Sequence, residues 1–176
     1  FLVAAIKFEG FYSHWWPLIL ANTLMFSVGF FDDLKPMGAR MKLLGQFGCA
    51  CILYACDISI DDLSNPFGES HIALGWWSFP ITIFWLIAIP NIINLIDGMD
   101  GLATGFGLCM CLVLAFVGHF NLYGDVVLVA VIMSGALTGF LFFNLPPARI
   151  FLGDGGAYLI GFFIASVSLK SSNKPG

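Results

Sequence analysis

Uncharged apolar runs recur along the chain, and each is about as long as a bilayer is thick. Residues 75–96, 101–124 and 126–148 contain no Asp, Glu, Lys or Arg, and residues 10–31 contain only His14 as an ionisable group. Each reaches the roughly 20 residues that a helix needs to cross a hydrocarbon core of about 30 Å. Residues 43–56 and 155–169 form two shorter runs, the first of which extends to about Ile60 if Asp57 sits at the interface. The composition is 59% hydrophobic and 10% charged, against roughly 45–50% and 25% for soluble domains. A soluble fold of 176 residues could not hide that much apolar surface, so lipid must solvate it. The expectation is an all-α polytopic membrane protein, residues 1–176 forming one transmembrane unit. Its six spans would lie near 10–31, 43–60, 75–96, 102–122, 126–144 and 155–170.

Six crossings reverse the chain at every pass, so the ends of spans one, three and five emerge on one face. Those ends carry Asp32 and Asp33, then Asp97 and Asp100, then Asp154. Five carboxylates gathered on one face imply a polyanion site bridged by a divalent cation. The loops on that face also carry Lys35, Arg40, Lys42 and Arg149, whereas residues 57–74 and 119–125 hold Asp57, Asp61, Asp62, Glu69 and Asp125 with no Lys or Arg. The positive-inside rule then puts the acids in the cytoplasm, although Lys7, Lys170 and Lys174 fall on the other side by parity. The chain opens on Phe1 within an apolar stretch and closes just after a span, which suggests a piece of a longer protein.

Three motifs carry the chemistry. In Gly29-Phe-Phe-Asp-Asp-Leu-Lys35, adjacent carboxylates at a helix end can share a cation, or one can hold it while the other takes a proton. An ordinary helix terminus paired with Lys35 or Arg40 explains them equally well. In Asn91-Ile-Ile-Asn-Leu-Ile-Asp-Gly-Met-Asp-Gly101, Asn91, Asn94, Asp97 and Asp100 recur every three residues and would line one stripe of a helix. In Gly153-Asp-Gly-Gly156, an acid beside glycines at a helix start places a metal ligand next to free backbone N–H groups that can cradle a phosphate, with Gly155 as a substrate contact. The bland alternative for Asp154 is a helix N-cap. Cys49, Cys51, Cys56, Cys109 and Cys111 all fall in apolar runs and read as buried free thiols. Asp57, Asp61 and Asp62 lie in a turn-rich loop marked by Asn65-Pro66 and Gly68, more simply a solvated loop than a calcium site.

Taken together, Asp32-Asp33 with Lys42-Leu-Leu-Gly-Gln46, then Asn91-x-x-Asn-x-x-Asp-Gly-x-Asp-Gly-Leu-Ala103, then Ile150-Phe-Leu-Gly-Asp-Gly-Gly-Ala157, resemble the polyprenyl-phosphate N-acetylhexosamine-1-phosphate transferases across nearly the whole chain. The resemblance implies a fold of about ten membrane helices in the bacterial inner membrane, with its site facing the cytoplasm. The implied reaction transfers a sugar phosphate from a UDP-N-acetylhexosamine to undecaprenyl phosphate, releasing UMP, with Mg²⁺, or Mn²⁺ in its place, as cofactor. It assigns Asp154 as the main metal ligand, Asn94 as a second ligand or nucleotide contact, and Asp32 as the base or positioning group for the lipid phosphate. Asp33 would support metal or substrate, Asp97 and Asp100 would shape the diphosphate pocket beside Asn91, and Lys35, Lys42 and Arg149 would meet phosphates. Expected partners are the two substrates and the bilayer, with no nucleic acid and with a homodimer as the candidate assembly.

This sequence departs from the family in having Ala157 where a Ser is common, and its His14, His71 and His119 lie on or near the face opposite the acids. They cannot stand in for the family's His-x-His loop, which would follow the sixth span. The rival class is a cation- or proton-coupled transporter, which predicts acids near span midpoints. Here the midpoints are uncharged.

Overall fold

The structure, a computed structural model, describes residues 11–64 and 71–172. Six long helices carry the fold: α1 (Phe11–Leu34), α2 (Ala39–Ala55), α3 (Ser78–Ile96), α4 (Leu102–Phe120), α5 (Gly124–Asn144) and α6 (Gly153–Ser172). The protein is an all-α polytopic membrane protein in its architecture, with one exception. The segment expected as an external loop pairs its flanks, β1 (Asp62–Ser64) and β2 (His71–Ala73), as an antiparallel hairpin with Leu63 opposite Ile72. The Asn65-Pro66 and Gly68 turn itself lies outside the described residues.

Four segments are long and apolar enough to cross a membrane: Trp15–Leu34, Gly75–Ile96, Leu102–Phe120 and Gly124–Asn144. Exposed Phe84, Leu95, Phe116 and Phe142 on the last three give them outer surfaces that only lipid would solvate. The other two runs expected to span, in α2 and α6, fall outside that set. Helix α2 is 17 residues long and does not continue to Ile60. Asp57 turns left-handed with φ 59°, and the Ile58 and Asp57 N–H groups return to the Leu53 and Tyr54 carbonyls at 3.1 and 3.2 Å. That is a Schellman stop, which satisfies the carbonyls a longer helix would have used. The same device ends α4, where Leu122 has φ 61° and the Tyr123 N–H reaches the Gly118 carbonyl at 2.9 Å.

Helix α6 owes its lower hydropathy to its place in the bundle. Glycines at its start, serines and Lys170 dilute it, yet Ala157, Tyr158, Ile160, Phe162, Ile164, Ala165, Val167 and Leu169 are all buried. It packs most extensively against α1 and α3, with α4 as a further neighbour, while α4 and α5 pack chiefly on each other. A helix sheathed by protein does not need side chains that lipid would accept. The five cysteines are free, as expected, but Cys109 points outward and only Cys49 and Cys111 are fully buried.

Candidate functional site

The C-terminal ends of α1, α3 and α5 and the N-terminal ends of α2, α4 and α6 meet at one end of the bundle, as alternation requires. Asp32 and Asp33 occupy the last turn of α1. Pro36 disfavours helix at the preceding residue, and the chain turns through residues 35–38 into α2. The Asp32 Oδ1 closes that turn by accepting the Met37 N–H at 2.6 Å. Its Oδ2 lies 2.6 Å from the Lys42 Nζ, near the start of α2. The same ammonium sits 2.9 Å from the Asp154 Oδ2 in the first turn of α6. The other Asp154 oxygen accepts the Asn94 amide N–H at 2.8 Å. Four helices are thus joined through one half-buried lysine and one half-buried aspartate.

Asp33 works differently from its neighbour. Its two oxygens accept the backbone N–H groups of Asp154 and Gly155 at 2.9 and 3.0 Å, so a carboxylate from α1 caps the N-terminus of α6, where the helix dipole favours negative charge. Two of the N–H groups expected to cradle a phosphate, those of Asp154 and Gly155, are thus engaged by Asp33. The geometry depends on two glycines. A Cβ at Gly29 would lie 2.6 Å from the Asp154 carbonyl and the Gly155 Cα, and Gly153 holds φ 67° with its missing Cβ position 2.8 Å from the Asp33 Oδ2.

The stripe expected over Asn91, Asn94, Asp97 and Asp100 does not form, because α3 ends at Ile96 and its four members face four ways. Asn91 points to α2, donating to the Gln46 Oε1 at 2.6 Å and to its own Ile87 carbonyl at 2.7 Å. Asn94 reaches Asp154. Asp97, just past the helix, is half-buried. Its carboxyl is pushed up to about 6, first by burial and then by the negative charges of Asp154 and Asp33. Asp100 is exposed and accepts the Ala148 N–H at 3.0 Å, tying down the α5–α6 loop rather than joining the acid cluster. Lys35 and Arg149 lie exposed on the loops after α1 and α5 and make no ion pair or side-chain hydrogen bond among the described residues.

Two organising residues, Gln46 and Asn144, are given no role by the sequence reading, although Gln46 closes the Lys42-Leu-Leu-Gly-Gln46 motif. Gln46 is fully buried against Asn91, and Asn144 accepts the Thr104 hydroxyl at 2.7 Å and the Gly101 N–H at 3.2 Å while donating to the Ile150 carbonyl at 3.0 Å. The signal for Asn144 was a lone amide at the end of an apolar run, two residues before Pro146-Pro147, since such a buried amide must find partners.

Asp32, Asp33, Asp97 and Asp154 thus share a small volume with one ammonium, that of Lys42. No group of three acidic, His or Cys side chains among the described residues is arranged to hold a metal unaided. The acids lie at helix ends, and the uncharged middles of α3, α4 and α5 offer no chain of ionisable groups for an ion pathway.

Residues 15–172 match the glycosyl transferase family 4 profile, and the chain belongs to that family. It is 34% identical, over 96% of its length and 48% of the relative's, to a probable undecaprenyl-phosphate N-acetylglucosaminyl 1-phosphate transferase of Bacillus subtilis. It is also 32% identical to a phospho-N-acetylmuramoyl-pentapeptide-transferase of Listeria welshimeri, over 88% of this chain and 51% of that one. A protein of the latter name from Chlorobium phaeobacteroides is 31% identical over 88% of this chain and 50% of its own. The chain spans about half the length of the curated relatives it matches.

Proposed function

We propose that the protein containing this chain transfers a sugar 1-phosphate, that of an N-acetylhexosamine, from a UDP-sugar to a polyprenyl phosphate. A lipid-phosphate oxygen forms a bond to the sugar-bearing phosphorus of the diphosphate, and the bond from that phosphorus to the bridging oxygen breaks, releasing UMP. The observation that carries this reading is the convergence of α1, α2, α3 and α6 on the Asp32–Lys42–Asp154–Asn94 chain, in a member of this family.

Both substrates are anionic, so an excess of carboxylates makes sense only with a cation between them. The donors fit Mg²⁺ in kind: carboxylate and amide oxygens, half-exposed, with few protein ligands. Mg²⁺ usually completes its shell with water and substrate phosphates, which suits a site lacking a three-residue cage. Asp154 and Asn94 would hold it, Mn²⁺ serving in its place, and when bound it would offset charge growing on the departing UMP. Asp33 fixes Asp154 by capping its helix, and Asp97 adds negative charge to the same pocket. Asp32 positions the incoming lipid phosphate, already largely ionised near neutral pH, while Lys42, Lys35 and Arg149 supply positive charge to phosphates. Asn91 and Asp100 act through the scaffold, as partners of Gln46 and of the Ala148 N–H. We place the acid end in the cytoplasm of a bacterial inner membrane, on the strength of Lys35, Arg40, Lys42 and Arg149 gathering there.

The test is UMP release by the full-length protein in membranes containing undecaprenyl phosphate, across a panel of UDP-N-acetylhexosamines, with and without chelator. Mg²⁺-dependent UMP formation from at least one donor is expected. Release from none of them, or release indifferent to chelator, would refute the reading.

A further inference from the structure

Among the described residues, both ion pairs belong to Lys42. Its ammonium, rather than an arginine's planar fork, is the charge lying between the carboxylates of two helices that are distant in the chain. An ammonium is a compact charge on a flexible four-carbon stem and forms no bidentate clamp, so it can leave without dragging α2 with it. The surroundings give it a reason to leave. Asp33 is committed to the α6 N-terminus, and one Asp154 oxygen is committed to Asn94. The Asp154 Oδ2, where Lys42 sits, is the oxygen that a metal ion would have to share with it or take from it.

We propose that Lys42 is a displaceable counter-ion. It holds Asp32 and Asp154 together while no divalent cation is bound. It is expelled when a cation takes Asp154, and the freed ammonium then turns to an incoming phosphate. This rests on reading Asp154 as the metal position. It makes metal binding and phosphate capture one coupled event, because the charge released by the first step is the charge used in the second. It also means that the site binds metal more weakly than its carboxylates alone would, since each binding event must break two ion pairs.

The deciding measurement is Mn²⁺ binding to the full-length protein in detergent, followed by the electron paramagnetic resonance signal of free Mn²⁺ with no substrate present. Lys42→Met should bind Mn²⁺ about tenfold more tightly than wild type, and Lys42→Arg, which keeps the competing cation, no more tightly. Lys42→Met should form less lipid-linked sugar despite its tighter metal, an opposition that a merely structural role for Lys42 would not produce. Should the Met variant not fold, Lys42→Gln makes the same comparison. Equal or weaker Mn²⁺ binding by the neutral variant, while wild type still releases UMP with Mg²⁺, would overturn the counter-ion role and leave the proposed function standing. Mn²⁺ bound by neither protein, with no UMP formed, would remove the metal reading and this inference together.

Discussion

The two ends of the bundle both carry aspartates, but they treat them in opposite ways. At the end where α2 and α4 stop, Asp61 and Asp125 are met by neutral donors. The Asp61 Oδ1 accepts the Ser59 and Ser78 hydroxyls, each at 2.9 Å, and the Asp125 Oδ2 accepts the Trp15 indole N–H at 3.1 Å. At the other end, Asp32 and Asp154 are met by a full positive charge, Asp33 by a helix terminus, and Asp97 by other acids. Neutral donors settle a carboxylate and leave nothing for a ligand to gain. Carboxylates crowded around one ammonium keep an unspent negative potential, which a divalent cation can use. Under the proposed function, the contrast separates Asp61 and Asp125, which settle local structure, from Asp32, Asp97 and Asp154, which would meet a cation, a distinction that counting aspartates cannot make.

The largest effect should come from Asp154→Asn, which removes the charge that Lys42 and a metal would share. Transfer activity should fall about 10²–10³-fold, read as UMP release. Activity within a few-fold of wild type would erase the difference between the two ends. Next is Gly29→Ala, whose Cβ would meet the Asp154 backbone at 2.6 Å. Overpacking of this sort costs about 1–3 kcal/mol, so thermal unfolding should begin earlier and activity should drop with it. An unchanged melting temperature would show that α1 and α6 are not locked at this point.

A smaller, pH-dependent effect belongs to Asp97. Its folded carboxyl titrates at about 6 against an ordinary 3.8, so the folded state holds the proton more tightly. That contribution to stability is complete below the ordinary value and is lost as pH rises through about 6. Asp97→Asn never ionises, so its melting temperature should gain on wild type as pH climbs from about 4 to 7, while activity falls. A gap independent of pH would count against the crowding of Asp97 by Asp154 and Asp33. The smallest effect is predicted for Asp61→Ala, which gives up two hydroxyl contacts at the neutral end. Stability should drop by about 1 kcal/mol, with activity within about twofold of wild type.

How far the sequence could be read depended on the range of the interaction. Lipid-length apolar runs are local, so α3, α4 and α5 are legible with nearly correct bounds, and alternation of direction then brings the acids to one end. The stripe over Asn91 to Asp100 failed because period-three spacing assumes a helix that continues, whereas α3 stops at Ile96 and leaves Asp97 and Asp100 on a turn. The Schellman stop after Ala55 rests on Asp57 adopting a conformation that favours glycine, which no hydropathy pattern signals. The partner of Asp33 was least legible of all. A carboxylate beside Asp32 invites a shared cation, and nothing local reveals that two backbone N–H groups on a distant helix will claim it first.

That bond has a consequence for how the molecule is made. Asp33 and the N–H of Asp154 are 121 residues apart, so a ribosome delivers the carboxylate long before its partner exists. Until α6 arrives, Asp33 must wait with water for company, and the acid end is an unfinished mouth among helices already threaded. Among the described helices, α6 both fills the core and supplies the N–H groups that Asp33 caps, so the acid end takes this form only once α6 has been made.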